Sequence, residues 1–564
     1  MITEDLIQEA LKLPRRGRVA LQKHFNLTQS QARKLAIILT DREQQTLKTS
    51  HQATTSSIID KREVSKIISN QSLLHQQKVD IISQKYQISK KEVQGWMSEM
   101  GVEVKNKQFA KAKHRHLFKT NRYIVTSAQN DTTTNIEFLD NIKALAKHVK
   151  AEIIVIPTRY KNPTAVEAKM HYDWDQRLDN YLYAQKIELH KNLVVAGDLK
   201  IQATTAIPTS RIELIGGGKS VIVGAPRIEL RSLPVFPQMQ NVYLHSTGTV
   251  SDINMSDTVA GGVAAAHHSY GFVFVDIENE DIVYTHNVSA EKDGSFTLFN
   301  LHVSNSEISQ VDIPWLFMGD SHLAQIDKEI TRQHRQIIKQ FRIKHVALND
   351  IFDSSSANVH HKDVVDRFRN YIEGKSNIKE ELKAMIDELT WFSLNVKETY
   401  VIRSNHDDML DRTIRKTDFS SVSENALIMA ELLHTLLKGQ EDENFKGLIP
   451  SIINKRFENV IGLGINDILE YKGVYMQHGH VGANGSKGSI TSYSKLPFKT
   501  LIAHSHTPSI KGGSYQVGLA CKMEHGYNEG LTSWAFCSAL ISAQGKRQLI
   551  LFNKHSKKFT TLFN

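Results

Sequence analysis

The chain has 564 residues, 40% hydrophobic and 23% charged, with only two cysteines, Cys521 and Cys537. That balance belongs to a globular protein of three or four domains and excludes a disulfide framework or a Cys-rich zinc site, so a reducing compartment is expected. No run of 18 or more apolar residues is present, and Met1-Ile2-Thr3-Glu4-Asp5 is acidic where a secretion signal is basic then apolar, so a cytoplasmic protein without a membrane partner is expected.

The net charge of +10 is unevenly placed. Residues 1–120 hold 22 Lys/Arg against 11 Asp/Glu, and the rest of the chain is close to neutral. A basic leader on a neutral body points to a polyanionic partner, DNA; a solvated lysine-rich surface is the plainer alternative. Within it, residues 20–32 repeat weakly at 81–93: Phe25 matches Tyr86, Leu27 matches Ile88, Thr28 matches Ser89 and Leu35 matches Trp96. Each copy reads as helix, tight turn and helix, with Thr28 or Ser89 as N-cap. These are helix-turn-helix-like modules over 1–48 and 62–104, whose second helices would offer Arg33, Lys34, Lys90 and Lys91 to DNA. Paired helical hairpins that mediate assembly are the competing reading. The polar segment 49–57 links the copies, and a basic connector runs over 105–119.

The pattern then changes. Tyr123-Ile124-Val125-Thr126 predicts a strand, Asn135 to Val149 an amphipathic helix, and Ile153-Ile154-Val155-Ile156 a second strand, together a parallel βαβ unit. Residues 193–310 read as short strands separated by Gly, Asn and Asp turns, with Gly197-Asp198 and Asp293-Gly294 as hairpin punctuation. Gly216-Gly217-Gly218-Lys219-Ser220 is not a phosphate loop, because Glu213 stands where the first glycine belongs. The region 117–310 is expected to be part of the catalytic domain or to cap it. From residue 311, strands alternate with longer helices, such as Asp327 to Phe341 and Val364 to Leu389, which makes the whole an α/β chain, α+β overall.

Five short segments of this last region carry the chemistry: Asp320-Ser321-His322, Asn349-Asp350-Ile351-Phe352-Asp353, Ser404-Asn405-His406-Asp407, His478-Gly479-His480 and His504-Ser505-His506. Four of them follow a mainly apolar run, so carboxylate, amide and imidazole groups collect at the ends of buried strands. Isolated pairs of this kind are weak signals, but the ordered series is specific. It resembles the calcineurin-like metallophosphoesterase superfamily, whose signature is GDxH, GDxxD, GNHD/E, H and GHxH. Asn349, Ser404 and Ala503 stand where that family often has glycine, and every ligand-type residue is present. With its leader and β-rich middle, the chain as a whole resembles phage-encoded deoxyribonucleases of this superfamily that degrade host DNA.

The resemblance implies a β-sandwich flanked by helices over 311–564 and two divalent cations, Mn²⁺ first, with Fe²⁺, Zn²⁺ or Mg²⁺ as alternatives. It implies Asp320, His322 and His506 on one metal, Asn405, His478 and His504 on the other, and Asp350 shared. A bridging hydroxide would attack phosphorus, His406 would serve as general acid, and Asp407 would orient it. Asp407 reads equally as a helix N-cap, Asp353 as a supporting carboxylate, and His480, Arg403 and His360-His361 as neighbours of open role. The expected activity is hydrolysis of DNA phosphodiesters. A phosphomonoesterase, or a DNA-binding regulator that uses the domain as a scaffold, are the alternatives. The sequence leaves a homo-oligomer open.

Overall fold

A computed structural model describes residues 3–11, 21–22, 24–39, 61–69, 75–99, 120–160, 174–357, 364–416, 424–525 and 530–563. The protein is a mixed α+β chain that divides into two compact units, Met1–Val104 and Lys105–Asn564. Among the described residues, no helix is long and apolar enough to cross a membrane.

In the first unit, the repeated motif takes the same turn twice. Asn26 and Gln87, 61 residues apart, both have left-handed backbones (φ 50° and 51°). Thr28 and Ser89 then open helices with reciprocal caps. Gln31 N donates to Thr28 Oγ1 while Thr28 N donates to Gln31 Oε1, and Glu92 and Ser89 do the same. Each pair satisfies two helix-start N–H groups that would otherwise lack partners. Val79, Ile82, Val93 and Met97 form the small core of the second copy, and Ile7, Leu21, Leu35 and Leu39 that of the first. The 49–57 linker and the 105–119 connector lie outside the described residues.

The second unit opens with β1 (Arg122–Gln129), the helix Ile136–Val149 and β2 (Glu152–Thr158). Asn135 caps that helix through its side chain, and Lys150 ends it with a left-handed backbone. β1 and β2 pair in parallel and are buried almost throughout, as a strand covered on both faces must be. β3 (Lys186–His190), β4 (Leu193–Ala196), β5 (Ser220–Val223), β6 (Ala225–Leu233), β7 (Val242–Gly248), β8 (Gly271–Ile277) and β9 (Val283–Ser289) follow. A three-stranded sheet of β10 (Phe296–Leu298), β11 (Leu301–Ser304) and β12 (Glu307–Gln310) comes next. The remaining strands are β13 (Trp315–Asp320), β14 (His345–Asn349), β15 (Glu398–Ile402), β16 (Val460–Gly462), β17 (Leu469–Tyr471), β18 (Val474–Met476), β19 (Lys499–Ile502), β20 (Ser509–Lys511), β21 (Ser514–Gln516), β22 (Cys537–Ile541) and β23 (Arg547–Leu551).

These strands repeat one design twice. One sheet has the order β2-β1-β8-β9, and another contains β14-β13-β22-β23 with β15 and β16 added beyond β14. In both, the first pair is parallel and the next two are antiparallel. The ten-stranded sheet runs β17-β18-β19-β21-β20-β6-β7-β5-β4-β3. Read inward from either end, its pairings are antiparallel, parallel, parallel, antiparallel. The halves meet at its centre, where β20 pairs with β6 through Ser509↔Arg231, Ile510↔Leu230 and Lys511↔Glu229. Without that seam each half would expose an open strand edge; the pairing removes both.

Apolar side chains fill the space between sheets in each half. Val125, Ile154, Val195, Ile222 and Val273 do so in the first, and Phe317, Ala347, Met476, Leu501 and Ala539 in the second. The sheet strands β13, β14, β15, β18 and β19 end at the five ligand-bearing segments.

Two expectations from the sequence need correction. Val364 to Leu389 is not one helix: Val364–Ile372 and Ile378–Asn395 are separated where Gly374 takes φ 68° and Asn377 caps the second helix. Gly197 is not a hairpin turn, because β4 pairs in parallel with β5, so the chain leaves β4 into a long connection. Asp293-Gly294 does form the turn between β9 and β10, where Gly294 N donates to Glu291 O and Gly294 has φ 76°.

Candidate metal centre

The loops after β13 and β14 are zipped together by backbone bonds. Ser321 N donates to Asn349 O, His322 N to Asp350 O and Leu323 N to Ile351 O. Asn349 is buried and donates its Nδ2 to Met318 O (2.9 Å). Asp350 has a left-handed backbone (φ 46°). His322 (φ 32°), His504 (φ 70°) and His506 (φ 57°) share it. Four candidate ligands thus hold a backbone that L residues adopt at a cost, and such strain concentrates at functional sites.

All seven predicted ligands come together. His322, Asp350 and His506 offer donor atoms within 4.8 Å of one another, and so do Asp320, Asp350 and His478. Asp350 belongs to both groups. His506 Nε2 lies 2.9 Å from Asp320 Oδ2, and His322 Nε2 lies 3.5 Å from Asp350 Oδ2. On the other side, Asn405 Oδ1 is shared by His478 Nε2 (2.9 Å) and His504 Nδ1 (3.0 Å). One amide oxygen therefore faces two imidazole nitrogens, the placement three ligands of one cation require.

The electrostatics fit a cation. Asp320, Asp350 and Asp353 are 0%, 2% and 6% exposed, and buried carboxylates are costly without compensating positive charge. Burial pushes the Asp320 and Asp350 pKa values up, but neighbouring histidines outweigh it and hold both below the ordinary range. Burial lowers His478 to about 3 and also lowers His504 and His506. These groups are thus ionised carboxylates and neutral imidazoles, the forms that bind metal. Asp350 Oδ1, His478 Nδ1 and His506 Nδ1 are buried without a hydrogen-bond partner. Oxygen and imidazole donors in this mixture suit a first-row divalent ion.

His322 departs from the pattern. Burial would lower its pKa, yet Asp350, Asp353 and Asp320 raise it to about 9. A histidine raised in this way is protonated below that value and must lose the proton to bind metal. Uptake of Mn²⁺ should therefore release about one proton near pH 7, and apparent affinity should rise by up to about tenfold per unit between pH 6 and 9. Calorimetry in buffers of different ionisation enthalpy measures this; a pH-independent affinity would contradict it.

His406 sits at the edge of the same site. Its Nδ1 lies against Asp353 O, and its Nε2 is 3.8 Å from Asp350 Oδ2. The orienting partner is that carbonyl rather than Asp407. Asp407 Oδ2 accepts from Ser404 N, and Asp407 N donates to Ser404 Oγ, so Ser404 caps the helix Asn405–Lys416 and Asp407 closes a capping box from its first turn. Burial raises its pKa to about 8. Arg403, of open role in the sequence, is tied down by its neighbours. It is bound to Asp408, Asp411 and the carbonyl of Lys446. Asp353 supports the site: its Oδ1 is 3.0 Å from His322 Nδ1.

Three further neighbours, Cys521, His525 and Trp534, have no spacing signal in the sequence. Ala520 N donates to Asp320 O and Lys522 N to Gln325 O, which lays segment 519–525 along the site. His525 Nδ1 comes 3.8 Å from Asp353 Oδ1 and its Nε2 3.4 Å from Cys521 Sγ. Trp534 packs edge-on against His506, ring centroids 4.2 Å apart. Only the return of the chain through β22 brings these residues in.

The first half has no counterpart. Among the described residues, the groups of three or more convergent His, Cys, Asp or Glu side chains all lie in the second half. The predicted DNA contacts are far less organised. Arg33 and Lys34 are exposed, and Lys90 is exposed and paired with Asp80 (2.8 Å). The side chain of Lys91 and the pair His360-His361 lie outside the described residues.

No protein-family model matches the chain, and no solved structure matches it. It is similar to Protein A1 of Escherichia phage T5, with 25% identity over 465 residues that cover 78% of this chain and 83% of that protein.

Proposed function

We propose that the protein is a metal-dependent phosphodiesterase that hydrolyses DNA, with a catalytic half built like the calcineurin-like metallophosphoesterases. The observation that carries the reading is the convergence of buried donors on two groups that share Asp350, one with His322 and His506 and one with Asp320 and His478, with Asn405 Oδ1 facing His478 and His504 beside them. Asp320, His322, Asp350 and His506 would hold one ion, and Asp350, Asn405, His478 and His504 the other. Mn²⁺ is the first choice, with Fe²⁺, Zn²⁺ and Mg²⁺ as alternatives. Bound there, the ions supply Lewis-acid stabilisation of the phosphoryl group and activation of water.

The side chains do the rest. Asp353 takes His322 Nδ1, which keeps Nε2 turned toward Asp350, the way an outer carboxylate fixes a ligating imidazole. Asp407 anchors the first turn that carries Asn405 and His406. With Nδ1 of His406 held by the Asp353 carbonyl, its Nε2 is left to pass a proton to the departing oxygen. DNA as substrate is supported by the basic leader and by the relative's origin in a phage.

The purified protein with Mn²⁺ should degrade plasmid DNA. Efficient cleavage of p-nitrophenyl phosphate with DNA left intact would instead make it a phosphomonoesterase. DNA binding without turnover of either substrate would make it a regulator. Removing residues 1–104 should weaken DNA binding by about tenfold and flatten its salt dependence. Hydrolysis of bis(p-nitrophenyl) phosphate should persist in that chain; its loss would mean that the leader builds the catalytic fold or an oligomer.

A further inference from the structure

A cavity of about 320 Å³ opens beside the metal centre, with His478 in its wall. Ile402, Leu463, Met476 and Leu496 line it, with Tyr493. The Tyr493 hydroxyl, with one proton to give, lies within hydrogen-bond distance of Gln477 Oε1 (2.9 Å) and Val481 O (2.8 Å). The two charged side chains at the wall are already neutralised. Arg403 is held by Asp408 and Asp411, and Asp467 by Lys446 (2.6 Å). A second phosphate would find no spare cation there.

His480 is a further polar group of the wall, with Asn466 and Ser492. Its side chain is 9% exposed, and neither ring nitrogen makes a hydrogen bond. The nearest carboxylate oxygen, Asp408 Oδ2, is 3.5 Å away. A buried imidazole whose Nδ1 has no hydrogen-bond partner carries a desolvation cost that a ligand hydrogen bond would offset. Apolar walls with one or two convergent polar groups are the make-up of a small-molecule site.

Resting on the phosphodiesterase reading, we propose that this cavity is a nucleobase subsite. It takes the base adjoining the scissile phosphate, with the base edge bonded to His480. A base in duplex stacking cannot enter such a cavity, so the substrate at the point of cleavage must be single-stranded, frayed or flipped out.

The test compares two phosphodiesters with the same leaving group, bis(p-nitrophenyl) phosphate and thymidine 5′-(p-nitrophenyl phosphate), using the full chain with Mn²⁺. The nucleoside ester should be preferred by roughly tenfold or more in kcat/KM. Thymidine 5′-monophosphate should inhibit at roughly tenfold lower concentration than methyl phosphate. Leu496→Trp, which fills the cavity, should bring both ratios close to one without changing the melting temperature by more than a few degrees. Equal handling of the two esters by the wild type, or ratios unchanged in Leu496→Trp, would overturn the subsite. If neither ester is hydrolysed under any divalent metal but the nucleotide still binds more tightly than methyl phosphate, and only in the unfilled cavity, the phosphodiesterase reading fails and the subsite stands.

Discussion

Replacing Asp350 with asparagine is expected to lower kcat on plasmid DNA by on the order of 10³-fold or more. Bound Mn²⁺ should fall below two ions per chain. Asp350 belongs to two convergent donor groups, one with His322 and His506 and one with Asp320 and His478, so its loss should act on both proposed ions. Removing an outer hydrogen-bond partner alone costs metal affinity about 10–100-fold, and a shared ligand should cost more. The measurement is elemental analysis after dialysis alongside the cleavage assay. Wild-type protein should hold two ions per chain rather than four, because the first half lacks the convergent donors. Full nuclease activity in Asp350→Asn, or four ions in the wild type, would remove the assignment.

His406→Ala should lower kcat on DNA by about 10²–10⁴-fold, the ordinary range for a general acid, and leave metal content at two ions per chain. The loss should depend on the leaving group. A deoxyribose oxygen needs a proton as it departs, whereas p-nitrophenolate leaves readily without one. On bis(p-nitrophenyl) phosphate the same variant should therefore lose about tenfold or less. Equal losses on both substrates would show that His406 positions the phosphate rather than protonating the leaving group. Loss of metal would show that it helps to hold an ion.

Much of the site was legible because metal ligation demands particular side chains at strand ends, and those side chains are visible in one dimension. Asp320, His322, Asp350, Asn405, His478, His504 and His506 were all named from their segments, and the folded chain brings all of them together. The errors concern neighbours. Asp407 follows His406 in sequence, but helix geometry turns it to the Ser404 backbone, and the carbonyl of Asp353, 53 residues earlier, meets the imidazole instead. His525 and Trp534 carried no signal because nothing local marks a residue that reaches the site through strand order.

What the sequence determined by itself is local in origin. The caps at Thr28, Ser89, Asn135 and Asp327, the apolar runs of β1, β2, β13 and β14, and the types of the ligands follow from short-range chemistry. The tertiary structure alone decided that residues 122–289 repeat the design of 315–551 and join it edge to edge through β6 and β20. The reason is physical. Strand order and sense are set by burial and by pairing between residues hundreds of positions apart, and many different sequences satisfy the same pairing. Among the described residues, the first half has the strands without the convergent donors, so no motif in it announces the repeat.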